Sequence, residues 1–71
     1  MKKIEISGPF IKLDQLLKFS GIAEDGGHAK ALIAEGMVFV NGEAETRRGR
    51  KIKDGDFVTV GEHGLHVHSK N

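Results

Sequence analysis

The sequence predicts an α+β fold, a hairpin of two short helices packed on a small twisted antiparallel sheet. Three observations carry that prediction. Apolar residues recur twice at helical spacing in the first half, and a glycine stops each stripe. Beyond Gly36 the period changes to alternation, punctuated by Asn-Gly and Asp-Gly turns. A chain of 71 residues with one proline and no cysteine has room for a single modest core, without disulfide or thiolate support. Residues 1–71 are therefore read as one domain.

Taken in order, Ile4 and Ile6 alternate with Glu5 and predict a short edge strand, which Gly8 and Pro9 end. Leu13, Leu16 and Leu17 fall at i, i+3, i+4 and predict a first helix over 12–20. Gly21 suits the left-handed position after that helix, and Ile22 can pack back on it. Asp25 is a good N-cap for a second helix over 26–35, whose buried stripe is Ala29, Leu32 and Ile33. Gly36 is its stop; Gly26 and Gly27 weaken its first turn. The connection is short enough to fold the two helices into a hairpin. Val38 and Val40 lead into Asn41-Gly42, from which residues 43–46 can return as a polar strand. Ile52 resumes apolar character, Asp54 and Gly55 turn, and Phe57–Val60 is a strand. Residues 61–64 turn again, and Leu65 and Val67 alternate with His66 and His68 in a last strand.

The net charge of +1 conceals an uneven distribution. Arg47, Arg48, Arg50, Lys51 and Lys53 lie within one stretch that contains no acid, which leaves six basic and ten acidic residues elsewhere. A faintly acidic body with one concentrated cationic segment points to a polyanionic partner. In a regular strand Arg48 and Arg50 would share the inward face of Ile52, so the segment is expected to be irregular before Ile52. Gly49 permits such a backbone, and several arginines are expected to be free to reach outward. Guanidinium forks match phosphate oxygens, and lysines add mobile point charges. The plainer reading, a solvated loop or a charged edge that blocks aggregation, fits the charge equally well.

The helices add Lys12 and Lys18 on the first and His28 and Lys30 on the second, any of which could extend the cationic surface. Each taken singly is an ordinary snorkelling side chain. Phe19 is read as core edge rather than a platform for bases. With neither Tyr nor Trp in the chain, backbone and shape contacts are expected to outweigh stacking as the main binding mode.

Other chemistries find little support. His63, His66 and His68 crowd together, but without a thiolate and with Glu62 as the only adjacent carboxylate; solvent-facing strand histidines are expected and no metal. Ser7, Ser20 and Ser69 lack a base-and-orienter context, Asp54 and Asp56 read as turn residues, and Gly26-Gly27 alone is not a phosphate loop, so neither catalysis nor a cofactor is expected. There is no signal-peptide pattern and no membrane span, and the balance of 38% apolar with 30% charged residues argues against disorder. The expectation is a cytoplasmic monomer.

Order and spacing go beyond charge. Leu13-Asp14-x-Leu16-Leu17-x-x-x-Gly21 leads to Ala29-x-x-Leu32-Ile33-x-x-Gly36-x-Val38-x-Val40-Asn41-Gly42, and Gly55-Asp56-x-Val58-x-Val60 follows. This resembles the S4-type RNA-binding domain. The runs Gly26-Gly27-His28-Ala29-Lys30 and Thr46-Arg47-Arg48-Gly49-Arg50-Lys51 further resemble the small stand-alone bacterial members of that family. The resemblance implies the alpha-L motif, in which a helix pair and the following loop form an L-shaped cationic surface for structured RNA or a ribonucleoprotein particle. Carried over, that surface comprises His28, Lys30, Arg47, Arg48, Arg50 and Lys51, with Lys53, Lys12 and Lys18 at its margins. Many such domains carry Ser-Arg where this chain has Gly27-His28, so the basic loop must supply more of the binding. Two rivals stand beside this reading. An adaptor that docks an acidic protein would use the same loop. A sulfur-carrier-like β-grasp fold would need a terminal Gly-Gly, whereas the sequence ends His68-Ser69-Lys70-Asn71.

Overall fold

Glycines with positive φ punctuate the chain where the sequence places its helix stops and turns. Gly21 (φ 85°) and Gly36 (φ 75°) follow the two helices, and Gly55 (φ 88°) lies in the Asp-Gly turn. A computed structural model describes residues 1–70. In chain order the elements are β1 (Lys2–Ile6), β2 (Phe10–Lys12), α1 (Leu13–Phe19), α2 (Gly26–Ala34), β3 (Val38–Val40), β4 (Glu43–Ala44), β5 (Lys51–Lys53), β6 (Phe57–Val60) and β7 (His63–Ser69).

The fold class is α+β, as expected, but the sheet is mixed rather than purely antiparallel. Its order is β1-β7-β6-β3-β4, and β1 runs parallel to β7 while the other pairs are antiparallel. Alternation in Ile4 and Ile6 reports a half-buried strand but carries no information about partner or direction. A second, two-stranded sheet pairs β2 with β5, with Phe10 opposite Lys53, Ile11 opposite Ile52 and Lys12 opposite Lys51. Three residues are too few to show a period, so β2 was hidden in the sequence, and Lys12 belongs to it as the residue preceding α1. The returning strand expected over 43–46 is only Glu43–Ala44, because Glu45 turns inward.

One core holds the layers together. Leu13, Leu16 and Leu17 from α1 and Ala29 and Ile33 from α2 pack on the inner face of the five-stranded sheet, where Ile4, Ile6, Val38, Val40, Val58, Val60, Leu65 and Val67 point. Ile52 joins this core and anchors β5 from beneath, while Ile22 and Leu32 close its margin. Asp25 caps α2 as predicted, its carboxylate accepting from the His28 amide at 2.8 Å. Phe19 is not core edge: it is 66% exposed. It lines an open cleft together with Phe10 and Ile11.

Candidate functional site

The basic segment follows β4 and enters β5 through an irregular loop, as the placement of Ile52 requires. Two backbone contacts seat the loop on α1: the Leu13 amide donates to the Arg50 carbonyl at 2.8 Å, and the Asp14 amide donates to the Arg48 carbonyl at 3.1 Å. These are amides of the helix's first turn, which have no intrahelical acceptor. Lys12 offers no side-chain cap, so the loop itself caps α1. A further bond from the Arg50 amide to the Arg47 carbonyl, at 3.2 Å, closes the turn around Gly49.

Glu45 organises the loop from below. The residue is only 6% exposed. One carboxylate oxygen accepts from the Arg47 amide and Nε, both at 3.0 Å, and the other accepts from Arg47 Nη2 at 3.0 Å and Arg50 Nη1 at 2.9 Å. The fork on Arg47 is bidentate, the geometry in which such pairs are strongest. Hydrogen bonds from the Arg47 side chain, then from Arg50, then from the Arg47 amide hold the Glu45 carboxyl far below the usual carboxylate range, against the opposing effect of burial. The same contact raises Arg47 above its ordinary value.

This narrows the expectation of several arginines free to reach outward. Arg50 is tucked in, its side chain 32% exposed, and is paired with Glu45. Arg47 is tethered at its fork, although its side chain is 74% exposed. Arg48, Lys51 and Lys53 are the exposed cations of the segment that make no ion pair among the described residues. Glu45 itself escaped the sequence reading because it lies in what looked like a polar surface strand. The available signal was its position two residues before Arg47 and five before Arg50, within reach of both.

The β2–β5 pairing brings Lys12 opposite Lys51 and so adds it to the cluster at the start of α1. Lys18 is exposed at the other end of α1, beside Ile11, Gln15 and Phe19. His28 and Lys30 stand apart on α2, which packs on α1. His28 is also engaged locally: its Nδ1 accepts from the Glu24 amide at 3.1 Å. The predicted residues thus divide into a compact group around the first turn of α1 and an outlying pair on the second helix.

The turn residues have their own task. Asn41 has φ 52° and Gly42 φ 86°, the left-handed pair that a tight hairpin needs. Asn41 Oδ1 accepts from the Phe57 amide at 2.8 Å, and its Nδ2 donates to Asp56 Oδ1 at 3.0 Å. Asp56 Oδ2 accepts from the Lys53 amide at 2.9 Å. The Val-Asn-Gly and Gly-Asp elements are therefore one clamp, closed on the buried Asp56, that fixes the end of β5, and with it Lys53. Elsewhere, His66 stacks on Phe57 with ring centroids 4.1 Å apart. Among the described residues no group of three or more His, Cys, Asp or Glu is arranged to hold a metal, and no helix is long and apolar enough to cross a membrane.

Residues 4–68 match the S4 domain family. The chain is 44% identical over 59 residues to YbcJ of Escherichia coli (strain K12), covering 83% of this chain and 84% of that protein. It is 42% identical over 57 residues, 80% of each chain, to RlbA of Bacillus subtilis (strain 168), which is named a probable ribosome maturation protein. The fold is similar to the solution structure of YbcJ from E. coli, with a TM-score of 0.74 and 39% identity, covering 96% of this chain and 87% of that one. That structure is described as revealing an alfaL motif involved in RNA-binding.

Proposed function

The chain belongs to the S4 domain family, and from that premise we propose that it binds structured RNA, free or within a ribosomal particle, as a non-catalytic module. The observation that carries the reading is the seating of the basic loop on α1. Loop carbonyls occupy the helix amides, Glu45 holds the arginine forks, and Arg48, Lys51, Lys53 and Lys12 stay exposed around that rigid base. A surface held this way presents charge at fixed spacing, which suits recognition of RNA shape and phosphate position rather than base sequence. Lys18, Lys30 and His28 extend the contact along the helix pair, with the outlying α2 residues contributing less. The similarity to proteins described as RNA-binding and as acting in ribosome maturation supports ribosomal RNA as the class of ligand.

In-cell crosslinking with sequencing of the attached RNA tests this, comparing the native chain with the double variant Arg48→Ala/Lys53→Ala. Neither residue makes an ion pair among the described residues, so the substitutions should leave the fold intact. A discrete set of RNAs, lost in the variant, is the expected result. Recovery of one acidic protein that persists after nuclease treatment would support the adaptor reading instead. A variant lacking Arg47, Arg48 and Arg50 together is a poorer test, because it also removes both side-chain partners of Glu45 and so changes loop shape and charge at once.

A further inference from the structure

We infer that the outer face of the β2–β5 ribbon is a subsite for one unpaired nucleotide of the bound RNA, with Phe10 stacking on the base and Lys12, Lys51 and Lys53 holding the flanking phosphates. The inference rests on the RNA-binding reading above.

Alternation on two paired strands decides which side chains share a face. Ile52 is buried and Ile11 half-buried, so both point inward. Phe10 and Lys12 on β2 and Lys51 and Lys53 on β5 are all exposed and point outward together. The register sets Phe10 directly opposite Lys53 and diagonally from Lys51, whose Nζ lies 4.8 Å from the ring centroid. An apolar ring on a short exposed ribbon stands here beside three cations, 41% exposed and outside the core cluster. Its surroundings match a nucleotide, which presents a flat π-face beside a phosphate.

A cleft of about 290 Å³ adjoins the ribbon at Phe10, lined also by Ser7, Gly8, Ile11 and Phe19. That is near the lower end for small organic ligands. The acid on its wall, Glu5, is paired with Lys70 at 3.8 Å, which reduces its repulsion of an incoming phosphate. Lys51 covers the Phe10 ring in the free protein. Exposed cation–π contacts are weak, so the ammonium can move to a phosphate while a base takes the ring face. The ribbon continues directly from the loop that caps α1, so one RNA could engage both. The other aromatic surface, where Phe57 stacks on His66, has its ring face already occupied and lacks such a ring of lysines.

The test is a double cycle read by affinity. A fully paired RNA hairpin, the same hairpin with a bulged or tailing unpaired uridine, and the same RNA with an abasic site at that uridine would be titrated with the native chain, Phe10→Ala and Phe10→Leu. Phe39→Ala, an exposed phenylalanine on the outer sheet face, is the control. The native chain should prefer the unpaired uridine over the abasic site by about five- to hundredfold. Both Phe10 variants should lose that preference while keeping their affinity for the paired hairpin and its salt dependence, and Phe39→Ala should keep all three. A preference that survives Phe10→Ala and Phe10→Leu overturns the subsite and leaves the RNA-binding surface standing. Equal weakening toward every RNA, with a shallower salt slope, also overturns it, because Phe10 would then only prop the lysines. A native chain that binds none of the RNAs sinks the functional reading itself, and the subsite with it.

Discussion

Glu45 decides how much of the basic segment is available to a partner. Its carboxylate holds Arg47 and Arg50 and thereby sacrifices part of their charge in return for a fixed loop shape. Glu45→Gln should cost about 1.5–3 kcal/mol, the range for hydrogen bonds to a charged group, measured by urea denaturation. The pH dependence follows from the depressed carboxyl. The unfolded chain binds the proton more tightly, so stability rises with pH across the titration. The contribution is complete above the ordinary value of 4.5 and is lost as the pH falls below it. The gap in stability between the native chain and Glu45→Gln should therefore narrow in acid; a constant gap from neutral pH down to the acid transition would contradict the assignment. Arg48 and Arg50 should behave oppositely although they are two residues apart. Arg48→Ala should leave the denaturation midpoint almost unchanged and make the log–log salt slope of RNA binding about 1 shallower. Arg50→Ala should lower stability as well, since it removes one of the partners of a buried charge.

At the scale of elements, the loop and α1 support each other. A helix from Leu13 to Phe19 is only 7 residues long and has little stability of its own. The Arg48 and Arg50 carbonyls satisfy its first turn, while Leu13, Leu16 and Leu17 bury its apolar face. The amides of Leu13 and Asp14 should exchange more slowly than their place at a helix start would suggest. Hydrogen exchange checks this, and rapid exchange at both would mean that the loop is not seated in solution. On α2 the cap is a side chain instead. Asp25→Ala should cost about 1 kcal/mol and loosen the turn carrying His28, visible as a lower thermal midpoint with no change in the salt slope. The Asn41–Asp56 clamp acts between elements, joining the β3–β4 turn to the end of β5.

For the whole molecule, the governing quantity is charge placed asymmetrically on a small rigid body. The described residues fill a shape of 32 × 22 × 18 Å, and the cations around the start of α1 sit together at one part of it. If about four phosphates are neutralised there, the logarithm of the association constant should fall with the logarithm of salt at a slope of about −3 to −4. A slope near zero would rule out a phosphate-dominated interface. The net charge of +1 alone gives no hint of such sensitivity.

What the sequence determined by itself was what local chemistry dictates. Helical stripes ending in Gly21 and Gly36, the Asp25 cap, the Asn41-Gly42 turn and the switch to alternation after Gly36 each depend on neighbours in the chain, and all are where the residues imply. The uneven charge was legible for the same reason, as was the family pattern. Tertiary structure alone decided the parallel pairing of β1 with β7 and the existence of β2, because a strand of three to five residues takes its partner and direction from the rest of the fold. It also decided which cations are free. Glu45 looked like a surface residue until burial placed its carboxylate beneath Arg47 and Arg50, and Phe19 looked like core edge until the fold left it outside. Burial is a property of the assembled layers, and no run of residues encodes it alone.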